Sequence, residues 1–246
     1  MKPITLSEEA PVTIYVNGQN VATLMCTPEK IKELAAGYLL NSGIVKNMDD
    51  IYLIHACDKD EREISIQAAG VDLEGNKLKQ MVTSGCGGGH IGDRLKELPV
   101  VQSTHHVNAD EVRLSFKRMI KESSKYQEHG GIHASALVSD GFFITLEDVA
   151  RHNSHDKVTG YAAIRGIDFT KSMIITTGRI SADMVYKAVN TQVPIICSLS
   201  IPTTLAVEIA EHCGITVIGR AMRPAFQVFT HPERIHDKGG IVCLVD

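Results

Sequence analysis

Residues 172–219, SMIITTGRISADMVYKAVNTQVPIICSLSIPTTLAVEIAEHCGITVIG, decide the fold class. Three short runs rich in β-branched residues, Ser172 to Thr177, Val193 to Leu199 and Ile215 to Gly219, alternate with helical patterns near 182–191 and 204–213. Strand, helix, strand, helix, strand with short connections implies a right-handed parallel arrangement. Sheets of this kind bind ligands beyond the carboxyl ends of their strands. Three segments fall there: Thr177-Gly178-Arg179-Ile180-Ser181, Ser200-Ile201-Pro202-Thr203-Thr204, and Gly219-Arg220. The first two run into helix starts, so unpaired N–H groups, hydroxyls and arginines converge on one edge suited to phosphate. Ser181 and Thr203 also read as ordinary N-caps, and capping alone accounts for hydroxyls at those positions.

Working outward, the texture from about residue 130 onward is α/β. Asp140-Gly141 marks a turn before a strand at Ile144 to Leu146, and Lys157 to Ile164 is expected to be helical. Upstream, Asn108 with Glu111 has the spacing of a capping box, and Val112, Phe116, Met119 and Ile120 form a buried helical stripe. Further back, Val12, Ile14 and Val16 alternate with polar residues, Asn17-Gly18 turns the chain, and Val21 to Met25 returns, giving a hairpin. Thr27-Pro28 reads as a cap and first helical position for a helix over 28–42, with Gly43 as the stop. Ile51 to Cys57 and Glu63 to Gln67 add two strands around a charged turn. The expected class is α/β (α+β overall), with a boundary near 104 separating a smaller β-rich amino-terminal domain (1–104) from an α/β domain (105–246).

Composition narrows the function. Of 246 residues, 43% are apolar and 22% charged, which is ordinary for a globular protein and argues against disorder. Formal net charge is −4, so no global basic field exists to hold nucleic acid, and an anionic ligand needs a local site. There is no Trp among few aromatic residues, a poor supply of stacking platforms. The longest apolar run, Ile241 to Val245, is far short of the ~20 residues of a membrane helix. The segment from Met1 to Pro11 carries Glu8 and Glu9 and has no secretory pattern, so a cytoplasmic chain is expected.

Two clusters carry chemistry. Residues 83–92, Thr-Ser-Gly-Cys-Gly-Gly-Gly-His-Ile-Gly, hold too many glycines for a regular element and read as a loop. Cys86 has glycine on both sides, whereas the other cysteines lie in or beside apolar runs and read as small hydrophobes. Turn-rich backbone that points N–H groups at a thiolate lowers its pKa, which makes Cys86 the natural nucleophile. A cysteine that merely occupies a tight turn is the other reading. No C-x-x-C pair occurs, and in a reducing compartment the thiols stay free.

The second cluster is His133 with the polar stretch Glu147-Asp148-Val149-Ala150-Arg151-His152-Asn153-Ser154-His155-Asp156-Lys157, expected as a loop between strand and helix. Its groups suit substrate orientation or proton transfer, and a solvated loop with a capped helix start is equally compatible. His152-x-x-His155 has chelate spacing, but no thiolate pair accompanies it, so the metal reading is weak.

Taken in order, Thr83 to Gly89, Gly130-Gly131-Ile132-His133-Ala134, Glu147-Asp148-Val149 with Arg151-His152-Asn153 and Asp156-Lys157-Val158, Gly178-Arg179-Ile180-Ser181, Leu205-Ala206-Val207-Glu208 and Phe226-Gln227-Val228-Phe229-Thr230 resemble the FdhD family of formate dehydrogenase accessory sulfurtransferases. The resemblance runs from about Pro11 to Ile235. It implies a cytidine-deaminase-like three-layer α/β/α carboxyl-terminal domain and a homodimer. It also implies that Cys86 takes sulfur as a persulfide from a cysteine desulfurase. The sulfur is then delivered to the molybdenum or tungsten of a bis(molybdopterin guanine dinucleotide) cofactor, the bound substrate, for the formate dehydrogenase apoenzyme. Arg220, Ala221, Met222, Arg223, Pro224 and Ala225 occupy the family's cofactor-binding stretch, and a guanine nucleotide is the expected fragment ligand. The hydroxyl-rich helix starts at Thr177, Gly178, Arg179, Ser181 and Thr203 would receive its pyrophosphate.

Gly89 stands where many relatives have a second loop cysteine, which leaves a single-thiol carrier. The same replacement supports the alternative of a non-catalytic chaperone that holds the cofactor for the dehydrogenase. Deamination is improbable, because the H-x-E and P-C-x-x-C zinc signature is missing and His133-Ala134-Ser135 puts serine where the glutamate would act. A zinc hydrolase built on His133, His152 and His155 is the remaining rival.

Overall fold

A computed structural model of the chain describes residues 6–56, 62–71, 73, 98–223, 226–236 and 242–244. Two strands, β1 (Ala10–Val16) and β2 (Gln19–Cys26), form the expected hairpin, with Asn17 and Gly18 both at positive φ in the turn. The helix α1 (Ile31–Asn41) follows, then β3 (Ile51–Ala56) and β4 (Glu63–Ala68). These strands make a four-stranded sheet in the order β2-β1-β4-β3, in which β1 and β4 run parallel. Val12, Ile14, Ile64 and Ile66 project from the sheet onto Leu34 and Leu39 of α1, all fully buried.

The remaining elements are β5 (Val107–Asn108), α2 (Ala109–Glu122), α3 (Ser124–His129), β6 (His133–Ser139), β7 (Phe142–Asp148), α4 (Arg151–Ala163) and β8 (Ser172–Thr176). After them come α5 (Ala182–Thr191), β9 (Ile195–Ser198), α6 (Thr204–Cys213), β10 (Thr216–Gly219), β11 (Phe226–Thr230), β12 (Ile235–His236) and β13 (Val242–Leu244). Seven of these strands form a sheet in the order β13-β11-β10-β9-β8-β6-β7, and β12 pairs with β5 in a third, two-stranded sheet. The protein is therefore a mixed α/β chain with three sheets.

The parallel core expected from residues 172–219 is present: β8, β9 and β10 are adjacent and parallel, and α5 and α6 span 182–191 and 204–213. Antiparallel neighbours, β6 beside β8 and β11 beside β10, extend it on both sides. Each core strand is buried on both faces. Ile174, Ile196 and Val217 pack with α5 and α6 on one face, and Met173, Ile175, Cys197 and Ile218 pack with Val112, Phe116 and Met119 of α2 on the other. That two-sided burial explains why these strands read as continuous apolar runs.

Three local expectations are corrected. Residues 28–30 form a bend and α1 begins at Ile31, so Thr27 caps nothing and Pro28 is not in the helix. Asn108 occupies the N-cap position of α2, but its side chain makes no capping hydrogen bond, so the box with Glu111 does not form. Most consequential, α4 starts at Arg151. The stretch expected as a polar loop consists of the end of β7, a short bend, and the first two turns of a helix of which Asn153 to Gly160, Ala162 and Ala163 are all buried.

The polar helix α4 is buried because it is wedged between α1 and the seven-stranded sheet. Gly37 and Gly160 meet at the crossing. A Cβ added to Gly37 would stand 1.8 Å from the Asp156 carbonyl oxygen, and one added to Gly160 would stand 1.9 Å from that of Glu33. Glycine is required there because the two backbones touch.

Candidate functional site

The carboxyl edge of the parallel strands is knitted by hydrogen bonds between its loops. Thr203 N–H donates to the Ile180 carbonyl (3.0 Å), Leu199 N–H to Thr176 (3.2 Å), Arg220 N–H to Ser200 (2.9 Å) and Ala221 N–H to Ser198 (3.0 Å). The Ser198 hydroxyl donates to the Gly178 carbonyl (2.6 Å) and accepts from Ser200 N–H (2.8 Å). Adjacent strand order thus brings the 177–181, 200–204 and 219–223 segments side by side. Several N–H groups expected to face a phosphate are already engaged in these bonds. Thr203 caps α6 by accepting from Ala206 N–H (3.3 Å), whereas the buried Ser181 hydroxyl caps nothing and has no partner among the described residues. Arg179 is exposed at this edge, and Arg220 sits at φ 51 in the tight turn that follows β10.

His133 and Arg151 close over Gly178. An added Cβ there would lie 2.8 Å from Arg151 Cβ and 3.4 Å from His133 Nδ1, and His133 Nδ1 is 3.4 Å from Thr177 Oγ1. Burial, and then the Arg151 charge, push the His133 pKa down, so the imidazole is neutral near pH 7. Behind the turn runs a buried hydroxyl chain: Ser154 Oγ meets Ser135 Oγ at 2.8 Å, Ser135 donates to Thr176 Oγ1 at 3.2 Å, and Thr176 Oγ1 accepts from Gly178 N–H at 3.1 Å. The position of α4 is in this way fixed to the 177–181 turn.

The rest of the polar stretch does structural work around α4. Lys157 and Asp148, both 0% exposed, form an ion pair at 2.7 Å. The Lys157 ammonium also donates to the carbonyls of Thr27 (2.8 Å) and Glu147 (3.3 Å). Asp148 additionally accepts from the N–H groups of Thr27 (3.2 Å) and Ala150 (2.9 Å) and from Asn153 Nδ2 (3.1 Å). Asn153 Nδ2 reaches the Met25 carbonyl as well, at 2.8 Å. A buried pair with this many partners recovers its desolvation cost, and here it pins the end of β2 to the start of α4. Glu147 is used differently, accepting from Tyr126 N–H (2.7 Å) at the start of α3.

A second buried group lies one turn on. Asp156 Oδ1 accepts from Lys187 Nζ of α5 and from Asn41 Nδ2 of α1, each at 2.6 Å. Burial raises the Asp156 pKa, and Lys187 opposes the rise. His152 faces Asp183 at 3.9 Å, and burial followed by the Lys187 charge lowers its pKa to about 4. His155 is wholly buried with neither ring nitrogen partnered among the described residues, so desolvation holds it neutral.

Of the residues singled out in the sequence, the structure brings together His133, Arg151, Thr177, Gly178, Arg179 and Ser181, with Thr203 and Arg220 to Arg223 along the same edge. Ala221 is buried and Met222 is 40% exposed. Glu147, Asp148, Asn153, Asp156 and Lys157 stand behind that edge as its support. Cys86, Pro224 and Ala225 lie outside the described residues. Among the described residues, no group of three or more His, Cys, Asp or Glu side chains is placed to hold a metal ion. Sequence reading missed Thr27, Asn41, Asp183, Lys187 and Ser198. Thr27, Asp183 and Ser198 lay near singled-out segments, and nothing local marks Asn41 or Lys187, whose roles arise from helix packing.

Three cysteines are settled by burial. The thiols of Cys26 and Cys213 are pushed up to about 11 and that of Cys197 is raised further, each mainly by desolvation. Such thiols are protonated at neutral pH and inert as nucleophiles.

The described residues form a mixed α/β protein whose parallel strands end in a hydrogen-bonded carboxyl edge. Residues 7–236 match the FdhD/NarQ family, and the chain belongs to it. It is 35% identical over 233 residues to the sulfur carrier protein FdhD of Methanothermobacter thermautotrophicus, covering 95% of this chain and 92% of the relative. The FdhD sulfur carrier of Bacillus subtilis is 31% identical, covering 93% and 89%. The crystal structure of a candidate formate dehydrogenase accessory protein from Desulfotalea psychrophila superposes with a TM-score of 0.75 at 26% identity, covering 93% and 90%.

Proposed function

We propose that this chain is a sulfur carrier for formate dehydrogenase, in which Cys86 accepts a sulfane sulfur from a cysteine desulfurase and passes it to a molybdenum or tungsten bis(guanine dinucleotide) cofactor. Family membership over nearly the whole chain, with relatives named sulfur carriers, supports the role. The observation that carries the choice of Cys86 is the burial of Cys26, Cys197 and Cys213, which removes three rival thiols. Of the remaining cysteines, Cys243 sits in β13 and Cys57 directly follows β3, whereas Cys86 alone is bracketed by glycines.

Loading is a thiol exchange. The Cys86 thiolate attacks the outer sulfur of the donor persulfide, one S–S bond breaks as another forms, and the donor leaves as a thiolate. The cofactor is the cargo. Its guanine dinucleotide arms are assigned to the carboxyl edge, with Arg179 and Arg220 as the charged groups and His133 and Arg151 flanking the Gly178 turn. Reading the seven-stranded unit as a cytidine-deaminase-like fold rests on the family resemblance together with the helices on both sheet faces.

A chaperone that only holds the cofactor is the second reading, favoured by Gly89 in place of a second loop cysteine. The Cys86→Ala variant separates the two in a formate dehydrogenase activation assay. The carrier loses activation while keeping its fold and nucleotide affinity; full activation by Cys86→Ala excludes the carrier.

A further inference from the structure

At the opposite, amino-terminal edge of the parallel strands lies a recess of about 670 Å³ that the sulfur-carrier reading leaves unused. Its polar lining includes His105, His106, Thr170, Lys171 and Arg234, and no carboxylate side chain is among the described lining residues. Chain pairing builds it. In the two-stranded sheet Ile235 lies opposite Val107 and His236 opposite Asn108 in parallel register, so one step back along both strands sets Arg234 beside His106. The rings of His106 and His236 stack at 4.8 Å. Lys171 comes from the residue before β8, and the wall is braced by Ser103, whose hydroxyl donates to the Thr170 carbonyl (2.6 Å) and accepts from His105 N–H (3.0 Å).

Arg234 is the unusual member. It is 7% exposed, its Nη1 donates to Thr216 Oγ1 at 3.3 Å, and its buried Nε has no partner among the described residues. The Glu233 charge acts on Arg234 from a distance while its carboxylate meets His231 at 3.0 Å, and Asp168 accepts from Thr170 N–H at 3.0 Å and forms an exposed ion pair with Lys171 at 3.5 Å. Among the described residues no carboxylate forms an ion pair with Arg234. A guanidinium withdrawn from water with one neutral acceptor and no carboxylate in contact is costly, and an anion in the recess supplies a direct countercharge.

We propose that this recess binds a phosphate group, held between the Arg234 guanidinium and the Lys171 ammonium. Its volume falls in the range of small-molecule sites, roughly 300–1,000 Å³, so a phosphate ester fits as well as free phosphate. The site lies at the edge of the parallel strands opposite the carboxyl edge.

The test is a titration of the full chain with inorganic phosphate and with adenosine diphosphate, followed by NMR at His106, His236 and Thr170. Saturable shifts are expected at these residues. Loss of one charge-assisted contact in Lys171→Ala weakens binding about tenfold, as does Arg234→Gln, while Arg234→Lys retains most of it. Tighter binding of the nucleotide assigns the recess to phosphate esters, and equal binding assigns it to free phosphate. If Arg234→Gln does not fold, Lys171→Ala, whose side chain is 70% exposed, carries the test. Absence of saturation at up to ~10 mM of either probe, or shifts unaltered in Lys171→Ala, overturns the proposal. Sulfur loading of Cys86 is unchanged in these variants, so this result stands apart from the carrier reading.

Discussion

Replacing Lys157 by Met tests whether the buried Asp148–Lys157 pair locks α4 in place. The substitution keeps the approximate length of the side chain but removes the ammonium, leaving a carboxylate that is 0% exposed without its countercharge. It also strands the carbonyls of Thr27 and Glu147. Removing one partner of such a pair costs about 3–5 kcal/mol. For a chain of this size each kcal/mol is worth roughly 2–4 °C, so the melting temperature should fall by about 6–20 °C. Asp148 keeps three neutral donors, from Thr27, Ala150 and Asn153, which places the loss toward the lower half of that span. Calorimetry at neutral pH reads the effect, and the double variant Asp148→Asn with Lys157→Met should recover part of it because no unpaired charge remains. A drop smaller than roughly 2 °C in Lys157→Met would refute the lock.

Three further outcomes follow from the same geometry. Either Gly37→Ala or Gly160→Ala drives a methyl group into a carbonyl oxygen and should cost about 3 kcal/mol or more, visible as a shifted urea midpoint. Acid should weaken the fold through the buried imidazoles. Below the ordinary value of 6.5 the unfolded chain binds protons that native His152 refuses until about pH 4 and that native His155 also refuses well below 6.5, so stability is lost as the pH drops across that window. His155→Leu should therefore flatten the acid limb relative to the wild type, and an unchanged slope would contradict the assignment. Brief iodoacetamide treatment of the native protein at neutral pH should leave Cys26, Cys197 and Cys213 unlabelled, with Cys86 the first cysteine modified in the peptide map.

The legibility of this fold in its sequence varied with how local the signals were. Helices α5 and α6 were read to the residue because strong turn chemistry bounds them on both sides, and the Asn17-Gly18 hairpin carries its own turn code. The second half of α4 is legible as a helix from Lys157 onward, but its first two turns read as a loop because periodicity marks a helix by one apolar face, and α4 has none. It is buried against α1 through glycine contacts and satisfied by Thr27, Asn41 and Lys187, partners that lie 31 to 130 residues away and leave no local trace. Thr27 was misplaced for the same reason. Its distant role in holding Asp148 and Lys157 overrides the N-cap that its sequence context suggests.

At the site, the convergence of the 177–181, 200–204 and 219–223 segments was legible from the alternation of strands and helices. The consumption of their N–H groups was not, since loop-to-loop hydrogen bonds depend on the distances between strand ends. The composition of the glycine-rich segment pointed to Cys86, and burial of Cys26, Cys197 and Cys213 strengthens that choice.

The account turns on where the sulfur goes. Incubating the chain with a cysteine desulfurase and cysteine, then mapping its peptides by mass spectrometry without reductant, should find one added sulfur atom on the peptide containing Cys86 and none on those containing Cys26, Cys197 or Cys213. An unmodified Cys86 peptide under conditions that load another carrier would contradict it.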